Sequence, residues 1–73
     1  MPKLPSLRPS QAIAALEKAG FRRVRQRGSH IQLKRGNLLV TVPNHPGDLS
    51  PQVLRSILRQ AQMSAEEFVA FLK

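Results

Sequence analysis

The stretch FRRVRQRGSHIQLKRGNLLVTVP, residues 21–43, decides the fold. It holds three short runs with strand character, residues 21–26, 29–34 and 38–42, separated by Gly28 and by Arg35, Gly36 and Asn37. Each separator is brief and carries a glycine, so the chain turns back tightly at both places. Two such turns in succession predict a three-stranded antiparallel meander. Pro43 should close it, because proline cannot donate to a ladder. Side chains alternate across a strand, so the apolar residues assign the faces. Ile31 and Leu33 should point to a core, which turns His30, Gln32 and Lys34 to the other side. In the first strand Val24 is the apolar residue available for the core, which turns Arg23, Arg25 and Arg27 outward. The expected result is a wet, basic sheet face with one histidine in it, an ordinary arrangement for an antiparallel sheet.

Helical patterns flank this stretch. PSQAIAALEKAG, residues 9–20, has Pro9 near its start, Gly20 as its stop and an apolar stripe of Ala12, Ile13, Leu16 and Ala19. After a loop, NHPGDL, Ser50 reads as an N-cap with Pro51 at the first helical position. Leu54, Ile57, Leu58 and Ala61 then follow helical spacing. Ser64 with Glu67 three residues later is a capping box that opens AEEFVAFL, whose apolar side is Phe68, Phe71 and Leu72. The expected order is α-β-β-β-α-α, an α+β fold with helices packed on one face of the sheet. No internal repeat is visible.

Seventy-three residues suit one domain, residues 1–73, and a chain of this size buries only about 60% of its unfolded surface. The absence of cysteine excludes a disulfide framework and a thiolate nucleophile. The two histidines and four carboxylates do not cluster at ligand spacing, so no metal or other cofactor is expected. No run of eighteen apolar residues is present, so no membrane span is expected, and MPKLPSLRPS lacks a signal-peptide core. The cytoplasm is the expected location. Twelve Lys and Arg against four Asp and Glu give a net charge of +8. Most of these cations are arginine, whose planar fork suits phosphate better than a point charge does. Nucleic acid is therefore the favoured partner, ahead of a membrane surface or plain solubility.

From the residues alone His30 is a bystander, a phosphate or base contact, or a catalyst. His45, held between Pro43 and Pro46, is a secondary candidate whose simpler reading is a loop residue bonded to nearby backbone. Arg55 and Arg59 lie one turn apart on one helix face, the pattern of a DNA-contacting helix or of a merely solvated one. A non-catalytic RNA-binding module would share every one of these features with a nuclease.

The segments MPKLPSL, LEKAGF, VRQRGSH, VTVPNH, RSILRQA and MSAEEF, in this order, resemble the HicA (YcfA-like) toxin family of bacterial toxin–antitoxin pairs. The resemblance covers nearly the whole chain. It implies a fold like the double-stranded-RNA-binding domain, α-β-β-β-α, and a metal-independent ribonuclease acting on messenger RNA. It also implies a HicB-type antitoxin partner and an essential histidine in G-S-H, which is His30. The expected RNA contacts are then Arg23, Arg25, Arg27, Ser29 and Lys34. The chain departs from the family pattern in three places. LSPQV stands where a basic, glycine-containing stretch is common, Gln62 where glycine is common, and Ile31 where a second histidine is common. In the reaction so implied, His30 takes the 2′-hydroxyl proton while Arg25, Arg27 and Lys34 stabilise phosphoryl charge. Arg23 holds the flanking backbone, and water is left to protonate the departing oxygen.

Overall fold

A computed structural model describes residues 4–72. The elements are α1 (Pro9–Lys18), β1 (Arg22–Arg27), β2 (His30–Arg35), β3 (Leu38–Pro43), α2 (Pro51–Ala61) and α3 (Ala65–Ala70). The strands form one antiparallel sheet in the order β1-β2-β3. The architecture is the expected α+β fold. Before α1 the chain is described from Leu4 onward, and residues 1–3 lie outside the described residues.

Both hairpins close through two-residue loops. Gly28 (φ 53°) and Gly36 (φ 58°) each take the first loop position. Ser29 and Asn37, which follow them, keep negative φ. A positive φ at the first position alone is the pattern of a type II′ turn, whose twist suits antiparallel strands. Pro43 is the last residue of β3 and lies opposite His30. It occupies an edge strand, where a missing N–H does no harm. The pairing runs one residue further, since the Asn44 N–H donates to the Ser29 carbonyl.

β1 departs from the simple alternation. Its register against β2 shifts between Arg23, opposite Leu33, and Arg25, opposite Gln32, leaving Val24 as an extra residue. This is a β-bulge, and it moves every residue before it to the other face. Val24 is 54% exposed rather than a core residue. Arg23 falls on the helix side, with its Nε 3.8 Å from the Glu17 carboxylate of α1. Arg22, not Arg23, lies beside Lys34 on the open side. Phe21, just before the strand, is the buried residue that anchors this part of the chain.

The core is one cluster drawn from every element except β1. Ile31 and Leu33 of β2 and Val40 and Val42 of β3 meet Ile13 and Leu16 of α1, Leu54 and Ile57 of α2, and Phe68 of α3. Leu7, Phe21 and Leu49 fill it from the connections. Each large side chain so buried contributes roughly 1.5–3 kcal/mol relative to exposure. The lead is tied down by the Leu49 N–H, which donates to the Leu7 carbonyl at 2.7 Å.

The helix ends follow their sequence signals. The Ser50 hydroxyl accepts the Val53 N–H at 3.2 Å, and Pro51 opens α2. The Ser64–Glu67 box is complete, with Ser64 Oγ accepting the Glu67 N–H and Glu67 Oε1 accepting the Ser64 N–H. Those bonds, the Ser64 backbone one foremost, hold the Glu67 carboxyl below its usual range. At the start of α1 only half a box forms. Gln11 Oε1 accepts the Arg8 N–H at 2.9 Å, and a guanidinium has no acceptor to offer in return. α2 ends with Gln62 in the left-handed region (φ 55°, ψ 44°), a conformation that costs a side-chain-bearing residue roughly 1–2 kcal/mol. The Met63 N–H closes that turn on the Leu58 carbonyl. The turn keeps its shape without glycine.

α2 also seals one edge of the sheet. The Thr41 N–H, on the outer side of β3, donates to Gln60 Oε1 at 2.9 Å. Gln60 Nε2 in turn donates to Ser56 Oγ at 3.0 Å.

Candidate active site

Directly paired residues of antiparallel strands present their side chains to the same face. The register therefore writes the open face as three rows: Arg27–His30–Pro43, Arg25–Gln32–Thr41 and Arg22–Lys34–Leu39. None of the four acidic residues, Glu17, Asp48, Glu66 and Glu67, lies in a strand. Among the described residues, Arg22, Arg25, Arg27 and Lys34 form no ion pair. Like charges directly opposite one another destabilise a sheet, and Arg22 faces Lys34 in this way. A polyanion laid across the rows would remove that repulsion.

His30 is exposed in the first row, paired with Arg27 on one side and with Pro43 on the other. Ser29, in the turn before it, uses its carbonyl to hold Asn44. His45 follows Asn44 at the same end of the sheet, and its Nδ1 lies 3.0 Å from the Pro46 carbonyl oxygen. Of the residues singled out in the sequence, Arg25, Arg27, His30 and Lys34 share the open face, and Ser29 and His45 border it. Arg23 does not belong to it. Arg22 does, and the alternation of residues 21–26 could not reveal that, because it carries no sign of a bulge.

A family model described as the HicA toxin of bacterial toxin–antitoxin matches residues 9–63. That span takes in α1, the whole sheet and α2. The chain belongs to the HicA toxin family. It is thus a toxin of a toxin–antitoxin system, with an antitoxin as its partner. No curated protein matches it.

Three further cations of this HicA-family chain, Arg35, Arg55 and Arg59, are placed apart from His30. Arg35 lies on the helix side, where its Nη1 donates to the Ala19 carbonyl at 2.7 Å. Its guanidinium sits 4.7 Å from the centre of the Phe21 ring, a cation–π contact that lids the core. A shallow hollow of about 370 Å³ lined by Gly20, Arg22, Val24, Lys34, Arg35 and Gly36 opens at the end of the sheet opposite His30. Arg55 and Arg59 are exposed on α2, whose buried side packs toward the sheet from the helix face. No helix among the described residues is long and apolar enough to cross a membrane.

Proposed function

We propose that this HicA-family toxin is a metal-independent endoribonuclease that cleaves messenger RNA in the cytoplasm, with His30 as general base. The observation that carries the reading is an exposed histidine in the first row of an acid-free, basic sheet face. RNA brings its own nucleophile, so neither serine nor cysteine is required. A neutral His30 takes the proton of a 2′-hydroxyl while that oxygen attacks the adjacent phosphorus, and the bond to the 5′-oxygen breaks. Arg25 and Arg27, on the same face, donate to phosphoryl oxygens as charge builds, and Lys34, two rows and about 13 Å along the strand, holds a neighbouring phosphate. Arg22 extends the track for the flanking backbone in the place first expected of Arg23.

The test is a short RNA incubated with the protein in excess EDTA, beside the same RNA with one 2′-deoxy sugar at the cut. The all-ribose strand should yield a cyclic or 3′-phosphate and a 5′-hydroxyl, and the deoxy-substituted strand should stay intact at that site. Cleavage of both at similar rates would rule out the 2′-hydroxyl route. Binding without cleavage of either would leave a non-catalytic RNA-binding module of the same fold.

Affinity for single-stranded RNA should fall with salt by about 0.7 in log–log slope for each phosphate neutralised. Arg25→Gln or Arg27→Gln should each flatten the slope by about that much. Arg55→Gln, on α2 and outside the sheet, should change it little. Equal flattening at both places would move the binding surface from the sheet to α2.

The antitoxin is proposed to be HicB-type and to cover the open face with an acidic surface. Charge complementarity speeds such an encounter and orients it, while apolar anchors supply most of the affinity. Among the described residues, Val24 and Leu39, 54% and 47% exposed, are the large apolar groups on offer. RNA and antitoxin should then compete. A ternary complex that leaves His30 open to solvent would exclude direct masking.

A further inference from the structure

The reaction just proposed leaves one proton unassigned, that of the departing 5′-oxygen. We infer that His45 supplies it, so that the two histidines of the chain form an acid–base pair on one phosphate. The inference rests on the endoribonuclease reading and adds a residue to it.

Three observations and the general spacing of a sheet place His45 for this role. His30 is paired with Pro43, and the next pairing is the hydrogen bond from the Asn44 N–H to the Ser29 carbonyl. β3 is thus still in register one residue before His45. The proline at 46 restricts His45 itself to extended backbone, so the alternation that puts Pro43 on the open face returns His45 to it. Diagonal neighbours two residues apart across a sheet lie about 7–8 Å from each other, within reach of imidazole-sized side chains. A phosphate bridged at that spacing meets one ring at its 2′ side and the other at its 5′ side.

The ring orientation points the same way. Nδ1 of His45 sits 3.0 Å from the Pro46 carbonyl oxygen, and a carbonyl can only accept. As a hydrogen bond this contact has Nδ1–H as its donor, an assignment that leaves Nε2 as the working nitrogen. A backbone acceptor that selects the tautomer in this way is the usual means of aiming a proton-transfer histidine. Prolines at 43 and 46 limit the loop's freedom before any substrate arrives, so little order remains to be gained on binding.

The step balances without a co-reactant. The 2′-oxygen bonds to phosphorus and gives its proton to His30, the phosphorus–O5′ bond breaks, and His45 Nε2 delivers its proton to O5′. The products are a 2′,3′-cyclic phosphate and a 5′-hydroxyl, and exchange with water returns both rings to their starting states.

Single-turnover cleavage of two RNA strands separates this role from a structural one. One is normal, and one carries sulfur in place of the bridging 5′-oxygen at the cut, a leaving group that departs without a proton. His45→Ala should slow the oxygen substrate by about 10²-fold or more and cleave the sulfur substrate within a few-fold of the unsubstituted protein. His30→Ala should be slow on both. His45→Gln, which keeps polarity and bulk, should repeat the alanine pattern, and thermal melts of each variant check that the fold is intact. Full activity of His45→Ala on the oxygen substrate, or equal slowing on both substrates, would overturn the inference while leaving the ribonuclease reading in place. If the unsubstituted protein cleaves neither strand, the ribonuclease reading falls and takes this one with it.

Discussion

Replacing His30 with alanine should slow RNA cleavage by roughly 10²–10⁴-fold, the range expected for loss of a positioned proton acceptor. RNA affinity should change far less, because Arg25, Arg27 and Lys34 keep their places in the register. Stability should also hold. His30 is exposed and outside the core cluster, and surface changes of this kind usually stay within about 0.5 kcal/mol. The measurement is cleavage at saturating enzyme beside a binding titration and a melt, all on one preparation. A variant that binds and melts like the parent but cleaves at the parental rate would remove His30 from the chemistry. Loss of binding in step with loss of cleavage would make it a contact rather than a base.

Phe68→Ala should be the most damaging single change to the fold, costing about 3–5 kcal/mol. α3 is only six residues long, too short to persist in water by itself. It is held by its capping box and by Phe68, which has no exposed surface. Small domains sit low in the usual range of about 5–15 kcal/mol of total stability. The substitution should therefore leave a substantial unfolded population at ambient temperature. Urea unfolding would show this as a large drop in midpoint. Phe71→Ala, at a half-buried site beyond the end of α3, should cost clearly less. If Phe68→Ala costs under about 1 kcal/mol, α3 is an appendage and not part of the cooperative core. The question has added point because α3 lies beyond the residues matched by the family model.

Most of the architecture was legible because several independent signals agreed. Gly28 and Gly36 marked both hairpins, Ser50 with Pro51 marked the start of α2, and Ser64 with Glu67 marked the start of α3. Ile31 and Leu33 were enough to orient β2 correctly. β1 was misread at one point for a physical reason. Alternation assumes one residue per step, and a bulge inserts a residue without any required amino acid type. With Val24 as the sole apolar residue of a strand holding four arginines, it was assigned to a core it does not enter. That assignment left Arg25 and Arg27 correctly placed, because they follow the bulge, and exchanged Arg22 with Arg23, because these precede it. The role proposed for His45 goes beyond its sequence reading as a loop residue bonded to nearby backbone, a bond the structure does contain. That role rests on the ring contact with the Pro46 carbonyl and on the strand register that ends just before it, neither of which composition records.

The sealed edge of β3 has a consequence for how many copies of this chain can share a solution. An open edge strand is a template on which a second molecule can continue the sheet. Here the Thr41 N–H is already taken by Gln60, so a strand arriving on that side finds part of the ladder occupied. The opposite border is β1, bent by its bulge and carrying four arginines. Two copies meeting there would bring eight positive charges together. One border thus disfavours self-assembly through an occupied ladder donor and the other through repulsion, and neither depends on an apolar residue being hidden. Fibre growth from the native state is disfavoured at both ends of the sheet, while an acidic partner is refused at neither the open face nor the arginine border.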